Sequence, residues 1–289
     1  MLKIIRFYDV RARYHLNRMY AQKRNIGNIG ADLQKTIEKI PRIRSPNQPP
    51  RIWKQIEKVN KDGKLTKFTI QEIPEDRYED VVKHMCTYLI PDEPICQCLN
   101  AKDDPVFVQD MSMLWRLTLI QGISIATFTD NLNGEKPIIA SVNLLGIDFK
   151  NQKNSMIHQF KSENCRKAIE TTVYLSRIVY DYYEIDKYLY SVGLWVNSDY
   201  RGFGLSKDML EIRKFIGLMY GVPVTASGFT SIIMQKSAAN AGFEELLTKN
   251  YSDLVDKDGH EYFPGIKEKT FKVMSKKLKY NGGNMKNII

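Results

Sequence analysis

The stretch Asn197-Ser198-Asp199-Tyr200-Arg201-Gly202-Phe203-Gly204-Leu205-Ser206 decides how this chain is read. It follows an apolar run from Tyr188 to Val196 and leads into a segment with helical periodicity. The order is therefore strand, glycine-bearing turn, helix. The first turn of a helix carries backbone N–H groups without intrahelical partners, and the aligned peptide dipoles add partial positive charge there. Gly202 and Gly204 lack a Cβ, so a phosphate can approach the backbone closely between them. A short Gly-x-Gly is a weak signal alone, and its weight depends on its surroundings.

Working outward, regular patterning begins at Lys64. Residues 65–73 alternate with period two and predict a strand. Pro74-Glu75 opens a helix to about Leu89, with Tyr78, Val81, Val82, Met85 and Leu89 on one face. Asp103-Asp104-Pro105 caps a second helix to about Gln121. Strands are expected over 123–129 and 137–149, joined through a hairpin-type loop at 131–134. A helix from Cys165 to about Tyr183 precedes the strand 188–196, whose continuous apolar character suits a central position. Helix 203–219, strand 222–228, helix 231–241 and strands 243–248 and 268–276 follow. No internal repeat is found. This order predicts an α+β sheet with helices on both faces.

Composition bounds the class. Of 289 residues, 43% are hydrophobic and 26% charged, the balance of a soluble globular protein. No apolar run approaches the length of a membrane-spanning helix, and the N-terminus lacks the apolar core of a signal peptide. The four cysteines, Cys86, Cys96, Cys98 and Cys165, have no zinc spacing with partners and read as reduced thiols of an intracellular protein. The net charge of +10 is unevenly placed. Residues 1–60 hold 14 Lys/Arg against four acids, so the excess of ten equals that of the whole chain. The rest is neutral. Residues 1–60, with the Pro-rich run Pro41 to Pro50, are expected to be a basic, flexible extension. Residues 61–280 are expected to form the functional domain, and 281–289 a flexible tail. Residues 1–24 read as a mitochondrial targeting segment, an arm touching nucleic acid or acidic lipid, or an appendage without a role. Nucleic-acid binding is not expected of the chain as a whole and, if present, would be confined to that arm. The expected compartment is otherwise the cytoplasm, and the expected state a monomer.

Residues 196–210 resemble the acetyl-CoA loop of the GNAT N-acetyltransferases, whose pattern is Gln/Arg-x-x-Gly-x-Gly/Ala. Here it reads Arg201-Gly202-Phe203-Gly204-Leu205-Ser206, with Ser206 in the last small position. A second match, Thr225 to Ser231 followed by Gly242-Phe243, is similar to the fifth strand, fourth helix and Gly-Phe of that fold. Its wording is closest to the insect arylalkylamine N-acetyltransferase branch. A third, Pro91-Asp92-Glu93-Pro94, is similar to the Asp-Glu-Pro at the end of that branch's first helix. The matches cover roughly residues 65 to 280.

The resemblance implies a mixed, mostly antiparallel twisted sheet of about seven strands and acetyl transfer from acetyl-CoA to a small arylalkylamine, in a ternary complex and without a metal. It implies Glu93 as general base. It places the backbone of Trp195 and Val196 against the thioester, and the N–H groups of Gly202, Phe203, Gly204, Leu205 and Ser206 on the pyrophosphate, with Arg201 beside them. The branch has two hydroxyl residues four apart at the start of the fourth helix, and those positions are Thr230 and Met234. Thr230 keeps the hydroxyl of the implied acid and also reads as the cap of helix 231–241. Met234 is a departure that suggests a greasier pocket. Asp92, Phe107, Met111 and Met234 are pocket candidates, as are Tyr88 and Trp115, although the helical spacing of these aromatic and Met residues also suits a core. The alternatives are the same fold acting on a polyamine or other alkylamine, use of a longer acyl-CoA, or a CoA-binding protein without turnover.

Overall fold

Ile52, Trp53, Ile56 and Val59 are spaced as on one face of a helix, yet in the computed structural model residues Ile52–Val59 form an edge strand, β1. The structure describes residues 40–279 except 46–47, 61, 132 and 152–156. Residues 1–24, with their three alternative readings, and the tail expected over 281–289 lie outside the described residues. β1 pairs antiparallel with β2 (Leu65–Glu72), so the sheet begins before residue 61. Trp53 and Ile56 pack against the core, and Arg44 is buried beside Glu72 at 3.1 Å. Residues 40–60 are thus not wholly a flexible extension. Half-buried apolar groups hold them against the sheet, which the excess of lysine and arginine in this region conceals.

The remaining strands are β3 (Ile125–Thr129), β4 (Ile138–Phe149), β5 (Lys187–Val196), β6 (Val224–Phe229), β7 (Glu244–Asn250) and β8 (Thr270–Lys277). The eight-stranded sheet runs β1-β2-β3-β4-β5-β6-β8-β7. All neighbours are antiparallel except β5 and β6, which are parallel and share one register pair, Leu189 with Thr225. Beyond that pair the two strands part.

Helices cover both faces. The first is α1 (Tyr78–His84), which continues through a π-helical turn (Met85–Leu89) and a last turn, Ile90–Asp92. Then come α2 (Pro94–Cys98), α3 (Pro105–Ile120), α4 (Glu163–Ser176) and α5 (Ile178–Tyr183). The helix expected over 165–183 is therefore broken at Arg177. α6 (Leu205–Met219) and α7 (Ile232–Asn240) complete the set. α1 and α3 bury Val81, Met85, Leu114 and Trp115 against Ala126, Val142, Leu144 and Trp195 on one face. α6 buries Met209, Ile212 and Ile216 against Ile70, Ile125, Leu145 and Leu189 on the other. Each such side chain contributes roughly 1.5–3 kcal/mol through apolar area removed from water.

Candidate active site

The parting of β5 and β6 is prepared in the strand itself. Asn143 of β4 faces Leu194 and Leu145 faces Ser191, so Val192 and Gly193 together oppose Leu144. This is a β-bulge, and it shifts the later side chains of β5 to the opposite face. Gly193 has φ +156°, and a Cβ there would lie 2.5 Å from Met85 Cε and 3.3 Å from Leu89 Cδ2. The π-helical turn thus seats directly on the bulge. Tyr88, from the same turn, stacks on Trp195 at 5.3 Å. A glycine inside an apolar strand was the available signal for the bulge.

Beyond the C-terminal end of β5 a glycine-bearing turn leads into α6, in the order strand, turn, helix. Gly202 and Gly204 have φ +88° and +71°, which favour glycine. Gly204 is the N-cap of α6 and no side chain caps it. Phe203 and Leu205 are buried with Phe68 and Ala140, so they anchor the turn by packing and leave only their backbone for a ligand. Ser206 Oγ hydrogen-bonds Ser237 Oγ at 3.0 Å. Arg201 Nη2 donates to Asp92 Oδ2 at 2.8 Å, an exposed pair that ties this turn to the loop carrying Glu93. An exposed pair of this kind contributes little to stability.

Two lysines missed in the sequence reading also reach this turn. Lys54 and Lys58 of β1 pair with the buried Asp208 of α6. A Cβ on Gly204 would sit 3.6 Å from Lys58 Nζ. Two cations against one carboxylate leave a net positive charge beside the helix N-terminus. No local pattern signals this, because the Lys58–Asp208 contact spans 150 residues.

A cavity of about 1140 Å³ runs from this turn between β5 and β6 to the loop after α1. Glu93 lines it too. Its backbone is extended (φ −79°, ψ 129°), as a residue before proline must be. Glu93 follows the last turn of α1, where the sequence placed it, but it is also the N-cap of α2. Its Oε2 accepts the Cys96 N–H at 2.7 Å. That bond fixes the side chain, while Oε1 is buried without a hydrogen-bond partner. Burial raises the Cys96 thiol well above its usual value, and the nearby Glu93 carboxylate adds to the shift. Glu268 lines the same cavity and accepts from Ile232 N at 3.2 Å. Burial raises the Tyr251 hydroxyl, with further contributions from Glu93 and then Glu268, so both carboxylates act on one tyrosine.

Trp195 and Val196 flank the gap. Asn197 N–H donates to Ala140 O at 2.9 Å, toward β4. Backbone groups alternate in direction along a strand, so the Val196 N–H points the other way, into the gap. Thr230 and Met234 both line the cavity. The cap of α7 is Ser231, whose hydroxyl accepts from Met234 N at 3.3 Å, so the cap role read for Thr230 belongs to its neighbour. The Thr230 carbonyl instead accepts from Tyr251 Oη at 3.0 Å. Phe107 and Met111 belong to the core cluster and also form cavity wall, as does Trp115, whose Nε1 donates to Val192 O at 3.1 Å. Tyr88 is instead half exposed above Trp195.

Among the described residues one group has metal-ligand spacing, the half-buried Asp256 with the exposed Asp258 and His260. It lies outside the cavity, and Asp256 Oδ1 caps the turn through the backbone N–H groups of Asp258 and His260.

The same architecture is found among solved structures. A protein of the yellow fever mosquito, described as an insect arylalkylamine N-acetyltransferase 7, is 31% identical to this chain, with a TM-score of 0.73 over 82% of this chain and 99% of its own length. This chain belongs to the insect arylalkylamine N-acetyltransferase family. It has the GNAT fold of that family, with one strand more than the sequence suggested, and it is an acyltransferase. Arylalkylamine N-acetyltransferase 2 of Aedes aegypti shares the fold at 24% identity and TM-score 0.61, over 73% of this chain and 99% of its own. A Drosophila melanogaster polyamine N-acetyltransferase shares it at 14% identity and TM-score 0.59, over 73% and 100%. No family model and no curated protein matches the sequence. No helix among the described residues has the length and apolarity to cross a membrane.

Proposed function

We propose that this chain transfers the acetyl group of acetyl-CoA to the primary amine of a small arylalkylamine, by direct attack in a ternary complex. The observation that carries this reading is one cavity lined both by an uncapped glycine turn and by Glu93, whose Oε1 is buried and unpartnered. The open backbone at Gly202, with nothing within 4 Å of an added Cβ, suits a pyrophosphate there. Gly202 to Ser206 bind it through N–H groups, and Arg201 and Lys58 add charge.

An alkylamine reaches the site as an ammonium. With a pKa near that of lysine, about 10.4, freeing its lone pair at neutral pH costs roughly 4 kcal/mol. Glu93 Oε1 accepts that proton, directly or through one water, passes it to solvent, and takes the second amine proton as the C–N bond forms. The amine nitrogen then attacks the thioester carbonyl, whose oxygen gains charge and takes the Val196 N–H. Trp195, Phe107 and Met111 give the apolar wall an aryl ring needs. Asp92 keeps Arg201 at the mouth, and Thr230 supplies a hydroxyl near the splayed strands. Met234 supplies none.

A second reading, a diamine or polyamine acceptor, rests on Glu268. A second carboxylate in the same cavity would hold the far ammonium while Glu93 serves the near one. The test is CoA thiol release from acetyl-CoA with tyramine, dopamine, serotonin, tryptamine and spermidine side by side. Faster release with the aryl amines is expected. Release with spermidine alone would favour the second reading, and no release with any amine, from folded protein, would refute both.

A further inference from the structure

Arg213 of α6 is 1% exposed. An arginine on a helix flanked by Lys207, Glu211 and Lys214 reads from sequence as part of a solvated face, but the side chain rises beneath the sheet where β5 and β6 part. Nη1 donates to Ser227 Oγ of β6 at 2.9 Å, and Nη2 donates to Asn143 Oδ1 of β4 at 3.2 Å. Ser191 Oγ of β5 donates to the same Asn143 oxygen at 2.7 Å, which fixes the orientation of that amide. The network spans the three strands around the split. It is incomplete: Arg213 Nε and Asn143 Nδ2 are buried donors without a partner. Among the described residues no carboxylate pairs with the guanidinium, and its companion is the Phe243 ring at 5.7 Å. Burial alone brings its pKa down to about 9, so it stays charged at neutral pH.

An uncompensated buried cation is costly unless a negative charge visits it. Arg213, Ser191 and Ser227 all line the cavity described above. Arg213 follows Gly204 along α6 by about 13 Å at roughly 1.5 Å per residue. The pantetheine arm has about 13 bonds from phosphorus to sulfur, or ~15 Å at an extended-chain advance of roughly 1.2 Å per bond. A CoA anchored at the Gly204 turn and laid along the gap therefore brings its sulfur to the level of Arg213. The reaction creates one negative charge there. The amine loses two protons through Glu93, the first passed on to solvent before attack and the second taken up as the new C–N bond forms, and the C–S bond breaks with its electron pair leaving on sulfur. At the family position for a second hydroxyl this chain has Met234.

We propose that the Arg213 guanidinium is the electrostatic partner of the departing CoA thiolate. The proposal rests on the acyl-CoA reading above. Arg213 donates no proton. It holds the thiolate until release, which removes the need for a proton donor at the sulfur.

The test titrates the thiol of CoA bound to the full chain by its ultraviolet thiolate absorbance, with the desulfo-CoA complex as blank to cancel the protein's own cysteines and tyrosines. In the wild type the bound thiol is expected to titrate at least about one pH unit below free CoA in the same buffer, the size of shift a nearby opposite charge causes. Arg213→Met should return it to within about 0.3 unit of the free value, and Arg213→Lys, which keeps the charge, should preserve most of the shift. A wild-type complex whose thiol titrates like free CoA overturns the proposal without any variant. Failure of CoA to bind overturns the acyl-CoA reading and this proposal with it, whereas tight binding with an unshifted thiol overturns this proposal alone. A preference for succinyl-CoA over acetyl-CoA of more than about tenfold, abolished in Arg213→Met, overturns it too, because the cation would then be reading an acyl carboxylate.

Discussion

Replacing Glu93 by Gln removes a base and little else. The Glu93 side chain has two separate tasks: Oε2 caps α2 through the Cys96 N–H, while Oε1 is buried and unpaired. In Glu93→Gln the amide oxygen takes over the cap and the amide nitrogen falls where Oε1 was. The volume and the cap survive, so the melting temperature is expected to stay within about 1 °C. At the free position a donor replaces an acceptor, and the proton of an incoming ammonium has no place to go. A positioned general base is worth about 10²–10⁴-fold, or roughly 3–5 kcal/mol of barrier. That is comparable with the ~4 kcal/mol of freeing an alkylamine from its proton at neutral pH. Turnover near pH 7 is therefore expected to fall about 100-fold with acetyl-CoA affinity unchanged. The deficit should shrink as the pH approaches the pKa of the amine, because solvent then supplies the free base. The assay is CoA thiol release at saturating amine from about pH 6 to pH 9, with calorimetric titration of acetyl-CoA alongside. Turnover within a factor of about three of wild type over that range would remove Glu93 from the mechanism.

Gly204→Val forces a β-branched residue to φ +71° and places its Cβ beside Lys58. Left-handed backbone costs such a residue roughly 1–2 kcal/mol, and its methyls obstruct the turn, so acetyl-CoA should bind at least about tenfold more weakly; unchanged affinity in calorimetry would mean the turn holds no phosphate. A chain starting at residue 61 loses β1 and the packing of Trp53 and Ile56, and thermal or urea unfolding should reveal a loss of about 2–4 kcal/mol. Equal stability with a chain starting at residue 40 would show that β1 is dispensable. The imidazole of His84, packed 5.7 Å from Trp195, has its pKa lowered, mainly by burial and against the pull of Asp80. The unfolded chain then takes up a proton that the native state resists, so stability should decline as pH falls from about 6.5 toward the lower native value. His84→Phe should flatten this decline in melting scans between about pH 7.5 and pH 5.5, and an identical slope would place the effect elsewhere.

Much of this site is legible in the chain because its parts are local. Arg201 to Ser206 combine strand end, positive-φ glycines and helix start within ten residues of Asn197, and Glu93 is marked by the proline after it. The apolar β5 is equally plain. Other parts are set by neighbours far away in sequence. β1 reads as a basic stretch because an edge strand needs only half its side chains to be apolar. Ser231 and Thr230 are both hydroxyl residues, and only the turn geometry decides which one caps α7. Arg213 reads as solvated until three strands are placed over it. Lys58 gains a role only when Asp208 is brought alongside.

The π-helical turn at Met85–Leu89 amounts to one surplus residue in a helix, and it faces the surplus residue of the β5 bulge. An α-helix turns about 100° per residue. Losing any one of those five residues would let the helix close into regular register, with better hydrogen bonds, and would swing everything after it, Asp92 and Glu93 included, through about a quarter of a circle. The stretch is therefore a place where length is held more tightly than identity: side chains can be exchanged within it, but the more regular helix made by a single deletion would aim its carboxylate away from the cavity.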